Sequence, residues 1–429
     1  MLPIILLNSL NMNATGGLNM FCFLRFLIWI NLLGGLGFPV YEVIGDDKGG
    51  DFVSVRNPKK LPGKIPCVRI ALGKKGDYKP CIAQLPNGEL LILAFDASHV
   101  KIGNGIREDM LLWRSKDQGR TWSKRKVIPL LGREPYFSVL KDGTLLVTVH
   151  FLKRDVRNKA GYVYSLVHRS TDAGRTWESI SIKSENLPKP APKTWTYTSR
   201  NILELKDGTL ILGVSLPKGH DYLWRSKDGG KTWDQSMECF FEGVDESKLW
   251  WPFMGETVFW QTRKGDLLGL FRVDQKLFPP ISGTTIPQEK GDSYERLLQF
   301  RSTDGGKEWK PEKFGGYYGE MYPALLRLND GRLLYTFTLR TAVAPNVKPL
   351  GVRCLVGQET DSGFNFDFKH DRIMISTKTP PDSYSGGGFG PTVQLADGTL
   401  LTAYSYAGPD RYPKDLRIEV VRWRLPDVK

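Results

Sequence analysis

Residues 114–122 read Arg-Ser-Lys-Asp-Gln-Gly-Arg-Thr-Trp, and closely similar stretches return three more times along the chain. Residues 169–177 read Arg-Ser-Thr-Asp-Ala-Gly-Arg-Thr-Trp, residues 225–233 read Arg-Ser-Lys-Asp-Gly-Gly-Lys-Thr-Trp, and a fourth copy runs from 301 to 309. A pattern Ser-x-Asp-x-Gly-x-x-Trp that recurs at intervals indicates a repeat architecture. The repeat therefore decides the fold class before any other feature of the chain.

Each copy predicts a tight hairpin. An Asp carboxylate accepts backbone N–H groups in a turn, Gly adopts a positive φ without strain, and the Trp ring packs against a neighbouring strand. Because turn chemistry accounts for every residue of the motif, we expect Asp117 and Asp172 at outer hairpins, far from any pocket. A degenerate copy at residues 360–364 has Phe364 in the place of Trp.

A second repeat interleaves with the first and consists of a turn pair ending in Gly, followed by an apolar run. The six turn glycines are Gly88, Gly143, Gly208, Gly265, Gly331 and Gly398. Such turns between apolar runs indicate hairpins. Six units with room for four strands each predict an all-β fold, a six-bladed β-propeller of four-stranded antiparallel blades. A strand near residues 66–72 would complete the last blade.

The N-terminal region differs from the rest in composition. Residues 21–33 are mostly apolar, and small residues follow at 34–37, a pattern typical of a cleaved signal peptide. A start at Met20 gives a more ordinary signal peptide. We predict a leader at 1–37, a linker at 38–64 and the propeller at 65–429, in a secreted or periplasmic protein. The alternative is an uncleaved anchor, since the apolar run is near the lower limit for a membrane span.

The net charge of +14 comes from scattered basic residues, which favours an anionic sugar or another polyanion as partner. No nucleic-acid recognition motif is present, so we expect no nucleic acid as partner. Without a Cys-x-x-Cys pair there is no indication of zinc or of redox chemistry. Cys67 and Cys81 could pair, or all four propeller cysteines could be buried thiols. We predict a monomer without cofactor or metal.

The Ser-x-Asp-x-Gly-x-Thr-Trp repeats, called Asp boxes, and the six turn units resemble the sialidase (neuraminidase) superfamily over residues 65 to 425. The resemblance implies a glycan-cleaving propeller with a central pocket at one end of its inner strands. It also implies three Arg that bind a substrate carboxylate, a Tyr nucleophile activated by a Glu, and an Asp as acid/base.

Several positions match these roles. Glu256 opens the fourth unit, where the resemblance implies the activating Glu, and Arg272 ends the same hairpin, where it implies a substrate-binding Arg. Asp96 follows the first hairpin, where it implies the acid/base. His99 follows Asp96 and could exchange a proton with it.

Other positions depart from the family. Lys79 stands where the first Arg is implied, and Lys is no bidentate substitute for Arg. An Arg implied just after Asp96 is absent. Phe389 stands where the nucleophilic Tyr is implied, and it has no hydroxyl. Tyr384, five residues earlier, is the alternative nucleophile.

Further polar residues open the inner strands, which converge on the axis of a propeller. They are Arg133, Glu134, Arg200, Glu320 and Tyr322. We expect Arg133, Arg200 and Arg272 to form an anion clamp, and Lys79, Glu134 and Tyr322 to bind substrate. Glu134, Glu256 and Glu320 could supply a carboxylate pair for acid/base hydrolysis. His150 ends the second strand of its unit, as His99 does.

Three hypotheses follow. The first is an exported sialidase-like exo-glycoside hydrolase that acts on a terminal acidic sugar of a glycan. The second is a non-catalytic, lectin-like propeller, and the third is a lyase or hydrolase of uronic-acid polymers. Glu256 and Arg272 favour the first or third hypothesis, whereas Phe389 favours the second or third.

Overall fold

Antiparallel β-strands build almost all of the described structure. The computed structural model describes residues 50–218, 220–248, 251–273, 295–340, 350–376, 378–380 and 388–426. Within these ranges the helices are two short 3-10 helices, Ser184–Asn186 and Glu246–Lys248. The prediction of an all-β fold is therefore confirmed. The predicted leader at 1–37 and Tyr384 lie outside the described residues.

None of the helices in these ranges has the length and apolar character that a membrane span requires.

The first two turn units each form a four-stranded antiparallel sheet. The first sheet consists of β3 (Asp77–Gln84), β4 (Leu90–Asp96), β7 (Met110–Ser115) and β8 (Lys126–Ile128), and a separate hairpin consists of β5 (Val100–Ile102) and β6 (Gly105–Arg107). The second sheet consists of β9 (Arg133–Val139), β10 (Leu145–Phe151), β11 (Tyr164–Ser170) and β12 (Glu178–Ile182).

The third and fourth units share one sheet, because their outermost strands, β17 and β21, pair in parallel. The third unit consists of β13 (Tyr197–Thr198), β14 (Leu203–Glu204), β15 (Leu210–Ser215), β16 (Asp221–Ser226) and β17 (Glu238–Phe241). The fourth consists of β18 (Val258–Gln261), β19 (Leu267–Val273), β20 (Arg296–Ser302) and β21 (Glu308–Glu312).

The fifth and sixth units also share a sheet, which includes two strands from the start of the described chain. The fifth unit consists of β22 (Glu320–Arg327), β23 (Arg332–Leu339), β24 (Gly351–Thr360), β25 (Gly363–Asn365) and β26 (Arg372–Met374). The sixth consists of β27 (Thr392–Gln394), β28 (Leu400–Ala407) and β29 (Leu416–Trp423), and the two early strands are β1 (Phe52–Arg56) and β2 (Lys64–Leu72).

Strands β1 and β2 join the two ends of the described chain. β2 pairs antiparallel with β29, as predicted for a strand near residues 66–72. The segment 38–64 was predicted as a linker, but β1 lies inside it and pairs with both β2 and β26. Val53 and Val55 alternate with more exposed neighbours and are buried, which is the two-residue period of a half-buried strand.

In the first four units the second strand, β4, β10, β15 or β19, is buried along its whole length. Each of these strands carries the apolar run that follows a turn glycine. A short continuous apolar run between turn signals is the pattern of a strand covered on both faces. These second strands form the core of the sheets. Each pairs with the first strand of its unit, and the residues of the candidate site lie near the start of those first strands.

The boxes fold as self-contained turns. Asp117 accepts hydrogen bonds from the Thr121 backbone N–H at 3.0 Å and from the Thr121 hydroxyl at 2.6 Å, and Ser115 Oγ accepts from the Gly119 N–H at 2.9 Å. Gly119 has φ 75°, the left-handed conformation that glycine adopts without strain. Equivalent bonds surround Asp172, Asp228 and Asp304. All four carboxylates are therefore used by their own hairpins.

Side-chain hydrogen bonds also link each box to the next one. Its first Arg donates to a backbone carbonyl in the following box, and the pairs are Arg114 to Ala173 and Gly174, Arg169 to Gly229, Arg225 to Gly305, and Arg301 to Ser362. The last acceptor lies in the degenerate copy at 360–364. Guanidinium hydrogen bonds thus link the outer hairpins of five consecutive units.

The four cysteines of the described chain are free thiols. Burial raises the pKa of Cys67 to about 11 and that of Cys354 to about 12. The pairing of Cys67 with Cys81 is not formed, and buried thiols of this kind behave as small apolar side chains.

Candidate functional site

Five non-glycine residues adopt a left-handed backbone at the same place in their units, nine positions before the turn glycine (79 and 88, 134 and 143, 256 and 265, 322 and 331, 389 and 398). They are Lys79 (φ 47°), Glu134 (φ 53°), Glu256 (φ 66°), Tyr322 (φ 55°) and Phe389 (φ 62°), and we call them the inner ring. Such conformations cost about 1–3 kcal/mol each and are concentrated at functional sites.

Bulges produce this geometry. The pairing between first and second strands shifts register beside Lys79, Glu134 and Tyr322. A bulge bends its strand and re-aims a side chain. In these three units the bulge thus redirects the side chain of the inner-ring residue.

Four of the five inner-ring residues line one cavity of about 190 Å³. One water needs roughly 15 Å³ by this measure, so the cavity accommodates a ligand much larger than water. The predicted site residues in its wall are Lys79, Arg133, Glu134, Glu256, Arg272 and Tyr322. Arg200 lies behind this wall and bonds to both Glu134 and Glu256.

Asp96 and Glu320 are not among the residues that line this cavity. Asp96 accepts hydrogen bonds from Arg125 at 2.8 Å and from the Ser98 hydroxyl. Glu320 pairs with Arg372 at 2.6 Å. Both carboxylates are occupied by structural partners, so neither joins the cavity.

Glu256 is held between two guanidinium groups, Arg200 on Oε1 and Arg272 on Oε2. Burial alone would raise the pKa of Glu256, but the charges of Arg200 and Arg272 lower it to about 2. Glu256 is therefore ionised at neutral pH.

Glu134 is held in the same way, with Lys79 Nζ 2.7 Å from Oε1 and Arg200 Nη2 3.0 Å from Oε2. Burial again opposes ionisation, yet the two cations hold the pKa of Glu134 well below its usual range. Since neither Glu134 nor Glu256 retains a proton at neutral pH, the two do not make the pair of one protonated and one ionised carboxyl group that most glycosidases use.

Lys79, which is hydrogen-bonded to Tyr322, is the residue of this wall whose pKa lies near neutral pH. Lys79 Nζ donates to the Tyr322 hydroxyl at 2.9 Å, and Arg340 Nη1 donates to the same oxygen at 3.2 Å. Burial lowers the pKa of Lys79 to about 7, against the attraction of Glu134. Burial raises the pKa of Tyr322 well above its usual value. The phenol is thus protonated, and its lysine partner exchanges a proton near pH 7.

His150 takes the same place in the second unit that Arg272 takes in the fourth, seven positions after the turn glycine (143 and 150, 265 and 272). Its side chain is buried, and neither ring nitrogen has a hydrogen-bond partner among the described residues. Nε2 lies 3.9 Å from Glu256 Oε1. Burial and then the charge of Arg200 lower the pKa of His150 to about 3, so the ring is neutral.

Sequence reasoning missed Arg340, Tyr197 and Trp251, which also line the cavity. Arg340 was detectable, because it lies two positions further along the second strand of its unit than Arg272 does, and alternate residues of a strand face the same side. Tyr197 and Trp251 lie next to segments that the repeat does not cover, so no spacing pointed to them.

Glu134, His150 and Glu256 place one ligand atom each within 4.8 Å of one another, a donor set of the kind that binds a divalent cation. However, Arg200 bonds both carboxylates, and Lys79 bonds one of them. A metal would have to displace these ion pairs and lie among positive charges, which disfavours it.

No protein-family model matches the chain. The "Sialidase" of Bacteroides fragilis is 24% identical over 230 residues, which are 51% of this chain and 37% of that protein. "Xyloglucanase Xgh74A" of Acetivibrio thermocellus is 27% identical over 232 residues, which are 51% of this chain and 24% of that protein. The alignments thus span well under half the length of these relatives.

Solved structures match over most of the chain. The NanB sialidase of Streptococcus pneumoniae has a TM-score of 0.57 at 12% identity, covering 86% of this chain and 71% of that one. The chain has the sialidase fold. The intramolecular trans-sialidase of Ruminococcus gnavus gives 0.56 at 12% identity, covering 84% and 97%. A protein of unknown function from Dyadobacter fermentans gives 0.59 at 22% identity, covering 87% and 100%. The predicted resemblance is confirmed for the fold.

Within this sialidase fold, Phe389 fills the inner-ring position at which a tyrosine was implied. Its ring lies 5.3 Å from that of Tyr322 and 4.5 Å from the guanidinium of Arg200. Phe389 is buried and serves as an apolar and cation–π partner there. Tyr322 is the inner-ring residue that carries a hydroxyl.

Proposed function

We propose that the chain is a sialidase-like glycoside hydrolase that releases a terminal acidic sugar from a glycan. One observation carries this proposal. Arg272 donates to Oε1 of the buried Glu295, and Arg340 Nη1 lies 3.7 Å from the same oxygen. Two guanidinium groups that converge on one carboxylate oxygen at the wall of a cavity support a site for the carboxylate of a ligand, since guanidinium pairs well with carboxylates.

We also propose that the six units are the blades of a six-bladed β-propeller with the cavity at its axis. The support is that inner-ring residues of four units, the first, second, fourth and fifth, line the same cavity. Their equivalent position in these four units makes a circular arrangement the simplest one that brings them together.

For the chemical step we propose Tyr322 as the nucleophile in place of the missing tyrosine at 389. The phenol oxygen would bond to the anomeric carbon as the glycosidic C–O bond breaks. The phenol proton would pass to the amine form of Lys79, and the leaving oxygen would take a proton from water. The ionised Glu134 and Glu256 would stabilise positive charge that develops on the sugar ring. The hydroxide left from that water would then attack the anomeric carbon and release the sugar from Tyr322, whose oxygen would take its proton back from Lys79.

A second candidate is β-elimination from a uronic-acid polymer, which Phe389 and the neutral His150 favour because elimination needs no nucleophile at the anomeric carbon. A base, Lys79 or His150, would take the proton from C5, and the C4–O bond would break as a C4=C5 double bond forms. The leaving oxygen would take a proton from Tyr322. Arg272 would neutralise the carboxylate, which makes the C5 proton more acidic.

The test is a panel of aryl glycosides, including a sialoside and uronides, together with a uronide polymer. Release of the aglycone from the sialoside supports the hydrolase, and an unsaturated product absorbing in the ultraviolet replaces it with the lyase. If the protein binds these ligands but turns none of them over, the lectin hypothesis is supported instead. Glu256→Gln should lower kcat far more than it changes binding. Arg332→Ala, at an exposed pair with Asp330, is the matched control.

We further propose that the protein is exported as a monomer. The support is the apolar run at 21–33 with small residues at 34–37. N-terminal sequencing of the protein from its native host should begin shortly after Gly37, and intact residues 20–36 on the purified protein would contradict cleavage. Light scattering of that sample tests the monomer.

A further inference from the structure

A row of three aromatic rings runs from the cavity to the surface. Trp251 lies 4.6 Å from the guanidinium of Arg272, Tyr197 lies 4.7 Å from Trp251, and Trp195 lies 6.5 Å from Tyr197. Tyr197 and Trp251 line the cavity, whereas Trp195 is 41% exposed. The row therefore starts at the anion-binding arginine and ends in solvent, and its outer ring is not part of a core.

His150 lies in the same wall, and its ring nitrogens have no hydrogen-bond partner among the described residues. Its ring lies 4.4 Å from that of Tyr197, and its side chain is 6% exposed. A buried polar group without a hydrogen-bond partner destabilises the fold, so such a group next to a cavity indicates a ligand.

We propose that Trp195, Tyr197, Trp251 and His150 form a second sugar subsite, which binds the neutral sugar attached to the acidic one. This inference rests on the proposed function, because Arg272 must bind the acidic sugar for the wall to meet its neighbour. Aromatic faces pack against the apolar C–H face of a sugar ring. A neutral imidazole is one donor and one acceptor, which suits a hydroxyl group and not a second carboxylate.

The subsite predicts which ligands the protein prefers. An acidic sugar linked to a neutral sugar should bind more tightly than the same acid carrying a methyl group, because only the former reaches the wall. A lone sugar acid contacts the arginines alone. The wall would thus determine the length of glycan recognised.

The experiment measures binding by isothermal titration calorimetry for two pairs of ligands. The first pair is the methyl glycoside of N-acetylneuraminic acid and sialyllactose, and the second is a methyl glucuronide and a glucuronyl disaccharide. Trp195→Ala should weaken binding of the longer ligand about threefold to tenfold and leave binding of the methyl glycoside unchanged. Phe240→Ala, which removes a 53% exposed aromatic ring elsewhere, is the matched control. His150→Leu should act as Trp195→Ala does, and His150→Gln should keep most of the affinity.

The outcomes separate the two proposals. If Trp195→Ala and His150→Leu leave both ligands unchanged, or weaken both equally, the wall is no subsite while acid binding stands. If the wild-type protein binds none of the four ligands, the proposed function fails and the subsite fails with it. Because Trp195 is exposed, its variant is expected to fold.

Discussion

Lys79 should make the stability of the protein depend on pH in a way that a substitution removes. In the folded protein burial lowers its pKa to about 7, whereas an unfolded lysine titrates near its ordinary value of 10.5. Between these values the unfolded chain binds a proton that the folded chain does not. The free energy of unfolding therefore rises with pH in this window, by about 1.4 kcal/mol per pH unit for this group.

The test compares the wild type with Lys79→Met. Between pH 7 and pH 9 the wild type should gain about 2–3 kcal/mol relative to the variant, since the variant has no ammonium to bury. Urea unfolding followed by tryptophan fluorescence at pH 6, 7, 8 and 9 measures the difference. Lys124→Met, at an exposed lysine, controls for a general loss of charge. A constant difference between wild type and Lys79→Met over this range would refute the reasoning, because Lys79 would then stay charged when folded.

Three further predictions concern the hairpins and the site. Arg169→Ala removes the 2.8 Å bond to Gly229 and should lower the free energy of unfolding by about 1–3 kcal/mol in urea melts, whereas the exposed Arg120→Ala should change it by under about 0.5 kcal/mol. Tyr322→Phe should reduce kcat about a hundredfold or more with little change in ligand affinity, and an unchanged kcat would exclude it as nucleophile. Arg272→Ala should weaken binding of an acidic sugar by about 2–5 kcal/mol in titration calorimetry, and retained affinity would exclude it from the anion site.

Most of the fold could be predicted from the sequence because the patterns that indicate it are local. A turn glycine followed by an apolar run sets a hairpin within about fifteen residues, and the boxes set another, so spacing alone predicts the strands. Strand β1 was missed because its two buried valines stand alone, without a turn unit around them. The bonds from Arg114 and Arg169 to the next box join residues some sixty positions apart, and no local pattern marks them.

Only part of the candidate site could be predicted from the sequence, because its geometry depends on backbone conformation as well as on residue type. The inner ring could be read from the sequence, since its members lie at a fixed offset from the turn glycines. The protonation states could not, because they depend on which cations meet Glu134 and Glu256 in space. Asp96 shows the converse, since its position in the repeat suggested catalysis and Arg125 takes its carboxylate.

Two of the three departures from the sialidase pattern, Lys79 and Phe389, lie beside the same residue. Lys79 Nζ lies 5.6 Å from the ring of Phe389, and both residues contact Tyr322, the first by a 2.9 Å hydrogen bond and the second by ring packing at 5.3 Å. A lysine in place of an arginine supplies a group that titrates near neutral pH, which a guanidinium does not. Beside it, Phe389 leaves Tyr322 as the phenol of the inner ring. Taken separately, the two losses would indicate an inactive site, but their shared contact with Tyr322 supports the proposal that the reactive phenol is Tyr322 in the fifth unit instead of a tyrosine at 389 in the sixth.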